Sequence, residues 1–150
     1  MLNRLRDVFA SLNSHDVRYL LIGGTAAILY GVPRATFDLE LLIDPTPENA
    51  AAMLAAFREA GFGTAEMIGA EELLAHEITV FKDRYRIDVQ TRTPGLQFAE
   101  AWERRVEMKV SGQPFWVVCR DDVIRSTRAA GRPVDLEDVR LLESDTNPKN

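Results

Sequence analysis

The sequence predicts an α/β (α+β) fold, a mixed central sheet with helices packed on it. Three observations carry this. An apolar run, a glycine pair, a short helical piece and a second apolar run follow one another between Tyr19 and Asp44. Two pairs of short alternating runs flank polar turns, at 78–90 and at 106–119. Segments with apolar residues at helical spacing lie before, between and after them.

Residues 2–13 put Leu2, Leu5, Val8, Phe9 and Leu12 at helical spacing, so this segment is expected to pack on the sheet without chemistry. His15 follows in a connection. Residues 19–22 read as a buried strand, because a short apolar run stops at a glycine signal. Thr25 is positioned to cap a helix over 26–30, which Gly31, Val32 and Pro33 end. Residues 37–43 read as the second strand. Asp44-Pro45-Thr46-Pro47 is a turn by composition, and Thr46 or its neighbours start a helix over 48–60 that Gly61 closes. Residues 62–68 show no clear period and are read as an extended edge piece, with a single helical turn at 71–76.

Residues 78–82 and 86–90 form a hairpin around Asp83-Arg84. A helix over 96–105 turns Phe98, Ala101 and Trp102 inward, and a second hairpin joins 106–110 to 114–119 around Ser111-Gly112. Asp121 or Asp122 caps a helix that runs to Ala130 and stops at Gly131. Pro133 opens a last helix over 134–143. The polar residues 144–150 are expected to be a disordered tail, which leaves 1–143 as one domain.

At 150 residues the chain can bury a core without staples. Cys119 is its one cysteine, so it has no intrachain disulfide and no cysteine metal cluster. No run approaches the roughly 18 apolar residues of a membrane span, and the charged first residues lack a signal-peptide core. A cytoplasmic protein is expected. A net charge of -5 argues against one that coats nucleic acid nonspecifically, while leaving room for a local basic site.

The chemistry concentrates on the strand at 37–43. Side chains alternate there, so Asp38 and Glu40 point one way and Leu39 and Leu41 the other. Two carboxylates on one face of an apolar strand repel each other and resist burial. A cation is the usual remedy, and carboxylates at i and i+2 near a glycine turn suit magnesium that also holds nucleotide phosphates. An ordinary solvated face fits the pair as well. Gly23 and Gly24 let a ligand approach the backbone, and the first amides of the following helix would point at whatever sits over them. On the strand at 86–90, Arg86, Asp88 and Gln90 share a face. A sheet that brings this strand beside the first acidic one would bring Asp88 to Asp38 and Glu40.

These pieces in this order, Gly23, Gly24, Thr25, then Arg34, Thr36, Asp38 and Glu40, then Asp88 in RIDVQ, resemble the polymerase-beta-type nucleotidyltransferase superfamily. They are similar in particular to small bacterial AbiEii-type toxin nucleotidyltransferases. The resemblance spans about 17–143, including the ending DDVIRSTRAAGRPVDLEDVRLLE. It implies metal-dependent transfer of an NMP from a nucleoside triphosphate to a hydroxyl of RNA, such as a tRNA end, or of a protein. It also implies a place in a toxin-antitoxin pair with a cognate partner protein. Two Mg2+ ions would be held by Asp38, Glu40 and Asp88, with Asp88 serving the acceptor hydroxyl. The amides after Gly23 and Gly24, with the Thr25 hydroxyl, would cradle the β and γ phosphates.

Arg125 and Arg128 are three apart and share a helix face, Arg132 follows, and no acid falls between Ile124 and Val134. They form a candidate clamp for triphosphate or RNA phosphates. Pairing with Asp135, Glu137 and Asp138 is the equal alternative. Arg34 is a second nucleotide-binding candidate, and Arg84, Arg86 and Arg92 read as edge charges. Three residues depart from the family pattern: Glu40 in place of the usual aspartate, Phe37 before the first acid, and Thr127 where a lysine is common. A catalytically silent module of the same fold, binding nucleotide or a partner, is the alternative function.

Overall fold

The computed structural model describes residues 2–35 and 38–144. A 3-10 turn (Leu2–Leu5) leads into α1 (Arg6–Ser14), then β1 (Tyr19–Leu21), α2 (Gly23–Leu29), β2 (Asp38–Ile43) and α3 (Pro47–Glu59). After α4 (Ala70–Ala75) come β3 (Ile78–Lys82), β4 (Arg86–Gln90), α5 (Phe98–Glu103), β5 (Val106–Val110) and β6 (Gln113–Val117). The helices α6 (Arg120–Ala130) and α7 (Pro133–Ser144) complete the described chain. The strands form one six-stranded sheet in the order β3-β4-β2-β1-β6-β5. It is mixed: β2 pairs parallel with β4 and antiparallel with β1, and β1 pairs parallel with β6.

Period-2 alternation sorts the two faces. Leu39 lies opposite Ile87 and Leu41 opposite Val89, and Phe81 pairs with Ile87 on the next strand. These five residues are buried, as are Tyr19, Leu21, Phe115 and Val117 on the strands beyond. Two helices cover this face with aromatic contacts. On α1, Phe9 stacks on Phe115 at 4.7 Å. On α3, Phe57 meets Phe81 edge-on at 5.0 Å. The other face carries Asp38, Glu40 and Leu42 on β2 beside Arg86, Asp88 and Gln90 on β4. A slip of one residue would exchange the two sets, so burial of the aromatic face holds the acids where they are.

Several boundaries differ from the sequence reading. The stretch at 62–68 contains a 3-10 turn, Gly63–Glu66, with Phe62 and Ala65 buried, and no strand. Ser144 ends α7 in helix; residues 145–150 of the expected tail lie outside the described residues, as do Thr36 and Phe37. The helix over 26–30 begins earlier, at Gly23. α6 begins at Arg120 with Cys119 at its N-cap, so neither Asp121 nor Asp122 caps it. Among the described residues no helix is long and apolar enough to cross a membrane.

Candidate active site

A cleft of about 490 Å³ opens on the acidic face, lined by Gly23, Gly24, Arg34, Asp38, Glu40, Asp88 and Arg132, with Ser126, Thr127, Asp135 and Asp138 on the α6–α7 side. The parallel pairing of β2 with β4 sets Glu40 directly opposite Asp88 and Asp38 opposite Arg86. Asp38 and Glu40 are neighbours on the same strand face.

The glycine pair belongs to this site through Glu40. The Gly24 N–H donates to Glu40 Oε2 at 2.9 Å. Gly23 has a φ of 68°, and a Cβ there would lie 1.9 Å from the same oxygen. Gly23 is therefore required twice, by its left-handed backbone and by the carboxylate filling the space of a side chain. At Gly24 a Cβ would stand 2.8 Å from Arg34 Nη2. Burial pushes the Glu40 carboxyl above the ordinary range; the Gly24 bond opposes this, and Asp88 adds to it.

Two expected phosphate contacts have other partners. The Gly24 amide is committed to Glu40. The Thr25 hydroxyl is buried and donates to the Asp38 carbonyl at 2.9 Å, tying α2 to the start of β2. As placed, Thr25 supports the acidic strand and does not line the cleft.

The arginines divide. Arg34 faces the cleft and is ion-paired to the buried Asp138 at 3.0 Å. Arg132 also lines it, with Nε 2.6 Å from Asp135 Oδ2. Arg125 and Arg128 do not reach the cleft. Arg125 Nη1 donates to Asp122 Oδ1 at 2.6 Å and lines a neighbouring pocket, while Arg128 Nη2 donates to Glu143 at 2.6 Å. Their spacing gave them one helix face, but Asp122, one turn back on α6, draws Arg125 one way and Glu143, fifteen residues on, draws Arg128 the other.

Arg86, read from sequence as an edge charge, is part of the site. Its Nε donates to Asp88 Oδ1 at 3.0 Å and lies 3.8 Å from Asp38 Oδ2. The hydrogen bond to Asp88 raises its pKa further. Its position two residues before Asp88 on the same strand face was the available signal. Of the acids that the sequence offers as partners for Arg125, Arg128 and Arg132, Asp135 does pair with Arg132, whereas Asp138 pairs with Arg34. Among the described residues, no group of three or more His, Cys, Asp or Glu side chains forms a ready metal cage. The donor chemistry is nonetheless that of a hard cation, three carboxylates on adjoining strands. Arg86 now supplies the positive charge between two of them, and an ion would have to displace it.

No family model matches the chain, and no curated protein matches it. Among solved structures it is similar to a Thermotoga maritima protein (TM1012) described as a candidate nucleotidyltransferase, at 17% sequence identity and a TM-score of 0.60. The match covers 93% of this chain and 90% of that chain. At this identity the likeness establishes the fold, which is nucleotidyltransferase-like.

Proposed function

We propose that this chain is a metal-dependent nucleotidyltransferase, moving an NMP from a nucleoside triphosphate to a hydroxyl of RNA, a tRNA end included, or of a protein. The observation that carries the reading is the pairing of Glu40 with Asp88 across adjacent parallel strands, Asp38 beside them and Gly23-Gly24 closing on Glu40. Similarity to the AbiEii-type group extends it to a toxin-antitoxin component with a cognate partner protein.

Asp38, Glu40 and Asp88 would hold Mg2+, two ions in the full arrangement, which supplies charge neutralisation at the attacked phosphate and the departing pyrophosphate. Arg34 and Arg132 face the cleft and offset the remaining triphosphate charge. Asp88, once released from Arg86, accepts the proton of the attacking hydroxyl. The fold contributes positioning: Gly24 fixes the Glu40 carboxylate, and Thr25 fixes the backbone at Asp38. The test is transfer of label from α-labelled triphosphates to added RNA or protein. Asp38→Asn and Asp88→Asn should each lower transfer by roughly 100-fold or more, and a full-rate Asp38→Asn chain contradicts the assignment.

One observation favours a second reading, a silent nucleotide- or partner-binding module. Arg86 already satisfies Asp88 and approaches Asp38 within the protein. Triphosphate binding without label transfer to any acceptor would select this reading.

A further inference from the structure

A second pocket, of about 540 Å³, adjoins the acidic cleft. Thr93 lines both, and Leu42 forms part of the second pocket's floor. Leu42 follows Glu40 by two residues on the same face of β2, so the pocket begins about 7 Å along the strand from the carboxylate. The lining of the second pocket is built tightly at Gly95. Gly95 has a φ of 82°, and a Cβ there would come within 2.9 Å of the Arg125 carbonyl.

Three guanidinium groups, those of Arg92, Arg104 and Arg125, line this pocket against one carboxylate, Glu100. In a chain of net charge -5 this is a local reversal of sign. Two of the three are held from behind by Asp122, which is fully buried. Asp122 accepts a forked pair from Arg104, both at 3.0 Å, and a third bond from Arg125 at 2.6 Å. One buried carboxylate under two guanidiniums neutralises one of their two charges and holds both groups at fixed positions, with Glu100 the one acid on the lining. Phe98, half-buried and stacked on Trp102 at 5.6 Å, adds an aromatic surface to the lining.

We propose that this pocket is the acceptor subsite, binding one phosphate-and-base unit of a single-stranded nucleic acid whose end reaches the acidic cleft. This rests on the transferase reading above and narrows its acceptor to nucleic acid. Fixed guanidinium forks match phosphate oxygens, and an aromatic face serves any base. A protein hydroxyl would need neither.

The test is fluorescence anisotropy of a 5′-labelled single-stranded oligoribonucleotide with the full chain, over a range of salt, with inorganic phosphate as competitor. Arg92→Gln is the safe variant, since Arg92 is exposed and, among the described residues, is ion-paired to Glu77 alone, at 3.9 Å. Arg125→Lys keeps the charge over Asp122 and loses the fork. Each should weaken binding roughly tenfold, and Arg92→Gln should lower the slope of log affinity against log salt by about 0.7, the value for one lost single-strand phosphate contact. Binding that both variants leave unchanged overturns the proposal, as does competition by inorganic phosphate at concentrations equal to those of the oligonucleotide. Magnesium-dependent triphosphate binding by the wild-type chain is measured alongside. If it is present and the oligonucleotide does not bind, the acceptor subsite fails alone. If both are absent, the transferase reading fails with it.

Discussion

Gly23→Ala tests the link between the glycine pair and the acidic strand. The new Cβ would lie 1.9 Å from Glu40 Oε2 and 2.4 Å from its Cδ, so the carboxylate must leave. Its departure breaks the 2.9 Å bond from the Gly24 N–H. A hydrogen bond to a charged group contributes about 1.5–3 kcal/mol. Holding a non-glycine residue in the left-handed region costs about 1–2 kcal/mol more. The sum is about 4 kcal/mol, which for a chain of this size lowers Tm by roughly 8–16 °C. Gly61→Ala supplies the control. Its φ is 95°, yet nothing lies within 4 Å of the added carbon, so only the backbone cost applies. Thermal unfolding followed by circular dichroism should show Gly23→Ala losing at least twice as much Tm as Gly61→Ala. Equal losses would refute the claim that Glu40 occupies the side-chain space of Gly23.

Further outcomes follow from the same geometry. Glu40 has a raised pKa in the folded chain, so the folded state binds its proton more tightly than the unfolded one; stability therefore falls as pH rises from the ordinary glutamate range through the folded value. Glu40→Gln should flatten that part of the Tm–pH profile, and an unaltered profile would contradict it. Arg86→Ala removes the charge that bridges Asp88 and Asp38, so Mg2+ or Mn2+ measured by calorimetry should bind roughly tenfold more tightly; weaker binding would show that Arg86 does not compete with the ion. Asp122→Ala deletes the buried acceptor shared by Arg104 and Arg125, and a Tm fall of roughly 5 °C is expected.

The acidic face was legible because strand alternation is local. Period-2 spacing alone put Asp38 with Glu40, and Asp88 with Arg86 and Gln90. Both hairpins were legible from their turns, Asp83-Arg84 and Ser111-Gly112, which join strands paired in the expected order. What sequence could not supply was the choice of partner over distance. Thr25 looked like a helix cap because its neighbours are helical, yet its hydroxyl bonds to Asp38, thirteen residues on. Arg125 and Arg128 looked like one clamp, but Glu143, fifteen residues after Arg128, claims one of them, and the turn of α6 gives Asp122 the other. The segment at 62–68 lacked a period because its two buried anchors are Phe62, at the N-cap of a short 3-10 turn, and Ala65 within it.

The central claim, that Asp38 and Glu40 with the glycine pair form a metal-dependent triphosphate site, is tested most directly by calorimetric titration. Each of the four ribonucleoside triphosphates would be titrated with and without Mg2+ into the wild-type chain and into Asp38→Ala. The account predicts binding of at least one triphosphate that requires Mg2+ and disappears in Asp38→Ala while the variant stays folded. Equal binding by the folded variant, or no binding of any triphosphate by the wild-type chain, would contradict it.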